Sequence, residues 1–169
     1  MNIDIIFTIT LAGITLGFVE GVKPGPLLTM VIRETLSGGL KAGSKAALAP
    51  IFTDGPLIIL SLIFAGWVSN QPLILIIISV LGAIYLAWMG IECFGINPPS
   101  SELSNDNATG SLKRGILTNL LNPNVYIFWF LIGGPIMATA FEENPISPLF
   151  YATSFLVSII LVKIGIAFL

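Results

Sequence analysis

Five long apolar runs fill most of this chain of 169 residues, and the charged residues lie almost entirely between them. Each run is long enough to cross a hydrocarbon core of about 30 Å, which takes about 20 apolar residues in a helix. A helix satisfies its own backbone hydrogen bonds and is therefore stable in lipid. The pattern predicts an all-α, polytopic transmembrane helix bundle with five spans. The runs are 5–22, 44–68, 72–96, 115–141 and 148–169.

The composition supports a lipid bilayer as the partner and excludes several classes of function. Hydrophobic residues make up 55% of the chain and charged residues 9%, which leaves too little polar surface to cover a water-soluble fold. The seven Lys and Arg form no patch that could neutralise a nucleic-acid backbone. With no His and one Cys, zinc sites and disulfide frameworks are excluded, and no nucleophile is clustered with a base. We therefore expect no metal, no cofactor, no nucleic-acid partner and no enzymatic activity.

Basic residues mark alternate loops. Six of the seven lie in, or at the edge of, one of two loops: the loop between the first and second runs and the loop between the third and fourth. Because cytoplasmic loops carry the excess of Lys and Arg, both loops are predicted to be cytoplasmic, with the N-terminus outside the plasma membrane. The seventh, Lys163, lies late in the fifth run, where its side chain is expected to extend to the inner membrane surface. The six loop residues are Lys23, Arg33, Lys41, Lys45, Lys113 and Arg114.

The first span is predicted to break at Pro24-Gly25-Pro26. Proline has no backbone N–H, so Pro24 and Pro26 leave the carbonyls of Glu20 and Val22 without their helical donors. Gly25 between them loosens the chain further. Freed carbonyls and half-helix ends that face a cavity form the binding site in many transporters, although a proline in a membrane helix is also commonly a simple kink.

Two further breaks are predicted, one in the fourth run and one in the second. Pro123, which follows Asn122, removes the donor for the carbonyl of Asn119 about 13 Å into its run. The other lies at Asp54-Gly55-Pro56, where Asp54 is about 15 Å deep. A carboxylate at that depth is either paired or protonated. Asp54 is therefore expected to be a group that gains and loses a proton.

Three local features are predicted to serve structure or charge balance. Gly13, Gly17 and Gly21 recur every four residues and form a small-residue stripe of the kind that brings membrane helices close together. Glu20 has Lys23 three residues on, near enough to neutralise it locally. Residues 97–112 are rich in Pro, Ser and Asn and are expected to form a flexible cytoplasmic connector.

Three segments taken together resemble the LysE/RhtB family of amino-acid exporters. They are GVKPGPLLTMVIRETLSGGLKAGSKAALAPIFTDGPL, LGAIYLAWMGIECF and GILTNLLNPNVYIFWF. That family carries a Pro-Gly-Pro or similar break in its first span, a Gly-rich second segment, a Gly-x-x-Tyr-Leu-x-x-x-Gly stretch in its third and an Asn-Pro-Lys motif in its fourth. The motifs occur here in the same order through essentially the whole chain. The departure is Asn124, where the family usually has Lys.

The resemblance implies a six-helix bundle built as two three-helix halves of opposite orientation, a 3+3 inverted repeat. Residues 1–96 would form the first half, 97–114 the cytoplasmic linker, and 115–169 the second half with two helices and without the last one. The implied function is the export of amino acids or similar small solutes, driven by the membrane potential or coupled to protons. The substrate pathway would include Glu20, Pro24, Gly25, Pro26, Asp54, Asn122 and Pro123.

Two alternatives stay open at the level of sequence. One is a divalent metal-cation exporter, although the chain has no His and only scattered carboxylates, fewer ligands than a dedicated ion cage usually has. The other is a truncated, non-functional membrane subunit, or one that takes its sixth helix from a partner. A homo-oligomer is also compatible with the sequence.

The predicted orientation can be tested by cysteine labelling. Single cysteines are introduced at Leu36 and at Asn105 in a Cys93→Ala background. Because both positions lie in loops predicted to be cytoplasmic, a membrane-impermeant maleimide should label neither in intact cells and both after permeabilisation. Labelling of either position in intact cells would reverse the topology.

Overall fold

The computed structural model describes residues 3–68 and 110–169, with isolated positions between 71 and 87. Most of the third predicted run, and the predicted connector up to residue 109, lie outside the described residues. The regular secondary structure of the described part is helical. Its elements are α1 (Ile3–Val22), α2 (Pro26–Gly38), α3 (Leu40–Ala47), α4 (Ala49–Val68), α5 (Ser111–Leu120), α6 (Pro123–Phe128), a π-helical turn (Trp129–Gly133), α7 (Gly134–Glu143) and α8 (Ser147–Phe168).

Four segments of the described part are long and apolar enough to cross a membrane. Each overlaps one of the predicted runs, which confirms the all-α, multi-pass bundle for these four. The second segment begins earlier than predicted because α3 leads into α4 with only Leu48 between them. The segments are Asp4–Val22, Leu40–Phe64, Pro123–Glu143 and Ser147–Phe168.

The breaks predicted in the first and fourth runs are confirmed. α1 ends at Val22 and α2 begins at Pro26, with Gly25 extended between them at φ −171°. α5 ends at Leu120 and α6 begins at Pro123. Both turns therefore fall where proline removes a backbone donor.

The break predicted at Asp54-Gly55-Pro56 is wrong, because α4 continues through Pro56 as one helix. A single proline removes one donor, here the one for the Phe52 carbonyl, and the turns on either side keep theirs. Each of the two confirmed breaks has an additional helix-ending feature that is absent from α4. The first has a second proline two residues on, and in the fourth run Asn122 caps α6, its Oδ1 accepting the N–H of Asn124 at 3.1 Å.

α1 and α8 pack side by side and run in the same direction. A Cβ on Gly17 would lie 2.5 Å from the carbonyl oxygen of Phe155, and one on Gly21 would lie 2.7 Å from the Cβ of Val162. Glycine is therefore required for the two helices to approach this closely. The predicted small-residue stripe is confirmed as a helix-packing surface.

The second and fourth spans also pack together in the same direction. Gly115 of α5 lies against Ala46 of α3, whose carbonyl oxygen would be 2.7 Å from a Cβ at 115. Farther along, Gly134 of α7 lies against Ser61 of α4, whose Cβ would be 3.1 Å away. The core that these helices share with α8 includes four aromatic side chains among its ten buried residues in the described part of the chain. Its buried rings are Phe128, Trp129, Tyr151 and Phe155.

An ion pair joins α2 to α5. Arg114 Nε and Nη2 donate to the two oxygens of Glu34 at 2.7 and 2.8 Å, a bidentate geometry that strengthens the pair. Glu34 is 3% exposed. The hydrogen bonds from Arg114 hold the pKa of the Glu34 carboxyl below its usual range.

The lowered pKa fixes how this pair depends on pH. Its contribution to stability is fully present above the ordinary pKa of a glutamate, about 4.3. It is lost as the pH falls through the lower pKa that Glu34 has in the folded protein. The pair therefore stabilises the contact between α2 and α5 throughout the neutral range.

Glu34→Gln is expected to lower the free energy of unfolding by about 2 kcal/mol at neutral pH, because Arg114 loses its charged partner. The difference from the wild type should shrink at pH below about 4. Thermal unfolding in mild detergent at both pH values measures it. The matched control is Glu142→Gln, which changes an exposed carboxylate in α7. Equal losses in the two variants would contradict the assignment.

Candidate functional site

The carboxylate of Asp54 lies inside the bundle, 3% exposed, and accepts three hydrogen bonds. Thr53 Oγ1 lies 2.8 Å and Asn119 Nδ2 lies 3.0 Å from its Oδ1. The indole Nε1 of Trp129 lies 3.2 Å from its Oδ2. The prediction of a buried Asp54 within the second span is confirmed. Its direct partners are neutral donors from α4, α5 and the π turn.

Asn119 and Trp129 belong to the site, although the sequence does not single out their side chains. For Asn119 the sequence singles out only the backbone carbonyl, because Pro123, four residues on, has no N–H to donate to it. In the structure that carbonyl accepts from Asn122 N–H at 3.1 Å in the turn before α6, and the buried side chain turns to Asp54. An Asn buried one turn before a proline break is the signal that could have identified it.

The position of Lys163 differs most from the prediction made from the sequence. Lys163 is 2% exposed, so the expectation that it extends to the membrane surface is wrong. Its Nζ donates to the carbonyls of Glu20 and Gly21 at 3.3 and 3.2 Å. Pro24 leaves the Glu20 carbonyl without a helical donor, and the parallel packing of α1 and α8 brings Lys163 to the freed carbonyl. A lysine late in one span and an orphaned carbonyl late in another are together the signal for this contact.

Glu20 is the second carboxylate at the site, and it lies close to Lys23. Its Oε1 lies 3.8 Å from Lys23 Nζ, which confirms the predicted local neutralisation. The same oxygen is buried and has no hydrogen-bond donor among the described residues. Lys163 and Asp54 line the same cavity as Glu20 and Lys23. Two carboxylates and two ammonium groups thus balance one another within the bundle.

These side chains surround one small cavity. Its volume is about 40 Å³, enough for water and far below the 300 Å³ or more that is typical of a ligand pocket. The site is therefore closed in this conformation. The cavity is lined by Glu20, Lys23, Gly25, Leu27, Leu28, Asp54, Asn119, Asn122, Asn124, Val125, Phe128, Trp129, Phe155, Ile159 and Lys163.

The structure brings four of the seven predicted pathway residues together at this cavity. They are Glu20, Gly25, Asp54 and Asn122. The other three, all prolines, are exposed and form the turns beside the cavity without lining it.

Asn124, at the position where the family usually has Lys, lies on the cavity wall. In the part of the chain that the structure describes, no three His, Cys, Asp or Glu residues come together as metal ligands would.

Comparison with known proteins places the chain in a family. The sequence profile of the LysE type translocators matches residues 19–169. The chain belongs to this family. Since four apolar helices accompany the match, it is a multi-pass membrane protein of a transporter family. No solved structure matches the chain.

Several curated proteins are similar to this chain. A leucine efflux protein of Klebsiella pneumoniae is 31% identical over 113 residues, which is 63% of this chain and 52% of that protein. A leucine efflux protein of Enterobacter sp. (strain 638) is 28% identical over 119 residues, 63% of this chain and 53% of that protein. The chemotactic transduction protein ChpE of Pseudomonas aeruginosa is 24% identical over 131 residues, 76% of this chain and 64% of that protein. The chain thus spans about half the length of the leucine efflux proteins it matches.

Lys163→Met is expected to destabilise the fold by about 3 kcal/mol, because two carbonyls at the end of α1 lose their donor and the buried carboxylates lose a cation. Thermal unfolding in detergent measures the change. Lys113→Met, which replaces an exposed lysine of α5, is the matched control and should unfold like the wild type. A Lys163→Met protein as stable as this control would show that the buried ammonium is not needed for folding.

Proposed function

We propose that this chain acts in a secondary transporter that exports amino acids or similar small solutes across the plasma membrane. The observation that carries the proposal is the pairing of buried opposite charges around one cavity. The ammonium of Lys163 and the carboxylate of Glu20 both line it. An amino acid carries the same two charges, and each could pair with its opposite in the wall.

Unused hydrogen-bonding capacity supports this mode of binding. A lysine ammonium has three N–H donors, and among the described residues Lys163 uses two of them, on carbonyls. The third is available for a substrate carboxylate. Glu20 Oε1, which lacks a donor among the described residues, is available for a substrate ammonium. The apolar part of the wall, including Leu27, Leu28 and Ile159, suits an aliphatic side chain, and the relatives named leucine efflux proteins agree with such a substrate.

The packing of the spans supports two halves, 1–96 and 115–169, of opposite orientation. In a 3+3 inverted repeat, exchange of the halves maps the first span onto the fourth and the second onto the fifth. The pair formed by the first and fifth spans then corresponds to the pair formed by the fourth and second. Both pairs occur here, each parallel and each packed through glycine.

Asp54 is the proposed site of proton coupling. As an ionised carboxylate it accepts all three of its hydrogen bonds. The Thr53 hydroxyl has one hydrogen and lies within reach of two acceptors, Asp54 Oδ1 at 2.8 Å and the Ala49 carbonyl at 3.2 Å. When Asp54 takes up a proton, Thr53 can donate to Ala49 instead. The site therefore accommodates both protonation states without leaving a hydroxyl donor unpaired.

Efflux from proteoliposomes that contain the purified chain tests the substrate class. Leucine should leave the vesicles at least about tenfold faster than leucinamide or N-acetylleucine, because each analogue lacks one of the charges that the cavity pairs. Leucinamide has no carboxylate for Lys163, and N-acetylleucine has no ammonium for Glu20. Equal rates for all three compounds would exclude zwitterion recognition by these residues.

Asp54→Asn, assayed in the same vesicles, tests the coupling. Asn keeps the shape of the side chain and cannot exchange a proton, so leucine efflux should lose its dependence on the pH gradient while the protein stays folded. The matched control is Asp4→Asn, which changes an exposed carboxylate at the start of α1 and should behave like the wild type. A pH dependence that survives in Asp54→Asn would place the coupling at another residue.

A further inference from the structure

A single π-helical turn, Trp129–Gly133, separates α6 from α7. Its hydrogen bond runs from the N–H of Gly134 to the carbonyl of Trp129, five residues back. Such a turn is rare in proteins and often occurs at functional sites. Here it lies directly beside the candidate site, because its first residue is the tryptophan that contacts Asp54.

The indole of Trp129 is held in one place by its neighbours. It is 0% exposed and makes edge contacts with the rings of Phe128 and Phe155, at centroid distances of 5.3 and 5.0 Å. Its Nε1 donates to Asp54 Oδ2. Among the described residues this is the single donor to that oxygen, whereas Oδ1 has two. The position of the indole therefore decides whether Asp54 Oδ2 has a hydrogen-bond donor among the described residues.

Gly133, at the other end of the π turn, makes room for this ring. A Cβ at 133 would lie 2.5 Å from Trp129 Cε3 and 2.8 Å from Cζ3. The indole cannot yield without leaving its contacts with the two phenylalanines, because protein cores are close-packed. Any side chain at 133 would therefore push the indole away from Asp54.

We propose that Gly133 is a positioning residue for export: it places the Trp129 indole on Asp54, and this contact tunes proton exchange at Asp54. The inference rests on the proposed function, in which Asp54 couples transport to protons. Hydrogen bonding to the charged form of a carboxylate favours that form, so loss of the indole contact should let Asp54 bind a proton at higher pH. The other charged groups at the cavity are Glu20, Lys23 and Lys163, and Gly133 is not on the wall they share.

A fluorescence titration tests the positioning without any transport. Trp67 and Trp88 are replaced by Phe, so that Trp129 is the only tryptophan. Its emission in detergent should titrate with pH, because its N–H faces the group that gains the proton. Asp54→Asn should abolish this titration, and Gly133→Ala should abolish it or shift it to higher pH. An emission that does not titrate in the single-tryptophan protein, or that titrates unchanged in Gly133→Ala, would overturn the proposal.

Two glycine controls separate this effect from general damage to packing. Gly165→Ala adds a methyl group where no atom lies within 4 Å, so both its titration and its efflux should match the wild type. Gly43→Ala creates a clash with the side chain of Thr35 and places a methyl group 3.1 Å from the carbonyl oxygen of Val31, in the contact between α2 and α3. It should lower thermal stability and leave the midpoint of the Trp129 titration in place. A Gly43→Ala protein whose Trp129 titration is lost or shifted as in Gly133→Ala would overturn the proposal.

Efflux measurements then link the contact to function. Trp129→Phe keeps an aromatic ring and removes the N–H, so the midpoint of the pH dependence of leucine efflux should rise by about one unit. Gly133→Ala should shift it similarly, and the double variant should shift no further than Trp129→Phe alone, since both changes remove one interaction. Additive shifts would overturn the proposal. If even the wild type fails to transport leucine, the proposed function fails, and the fluorescence titration alone decides the role of Gly133.

Discussion

The contact between Lys163 and the end of α1 is the interaction on which the rest of the site depends. A buried ammonium requires nearby negative charge or carbonyl oxygen, and both are supplied by the broken end of the first span. The carbonyls of Glu20 and Gly21 accept its hydrogen bonds. The contact joins the ends of two parallel helices and leaves the Glu20 carboxylate inside the bundle. The break at Pro24 in the first span therefore helps to determine where Lys163 of the fifth span can be buried.

Charge balance explains why so many ionisable groups can lie within an apolar bundle. Four of them surround the cavity, the carboxylates of Glu20 and Asp54 and the ammonium groups of Lys23 and Lys163. A single unpaired charge in a membrane is costly, whereas this group is neutral as a whole when all four are ionised. In the family pattern a lysine usually stands where this chain has Asn124. The neutral amide there keeps the balance at two charges of each sign.

Much of the fold follows from local sequence, and most of the site does not. Span length, the glycine stripe and the turns at Pro24 and Pro123 depend on residues close together in the chain, so they are predictable. Asp54 is predictable because a carboxylate in an apolar run is conspicuous. The positions of Lys163 and Trp129 depend on which helices become neighbours, and no local pattern carries that information. The expected break at Pro56 fails for a related reason, since one missing donor does not end a helix whose other turns are intact.

The glycine contacts between α1 and α8 have a mechanical consequence. Because Gly17 has no Cβ, the carbonyl oxygen of Phe155 occupies the space that a side chain would fill, so the two helices touch along their backbones. The hydrogen bonds from Lys163 to the carbonyls of Glu20 and Gly21 join the same two helices. The break between Val22 and Pro26 and the short link from Asn144 to Ile146 connect this helix pair to the rest of the bundle. Under the proposed function, widening the cavity to admit a solute would displace these two helices together, because both the glycine contacts and the Lys163 hydrogen bonds lie between them.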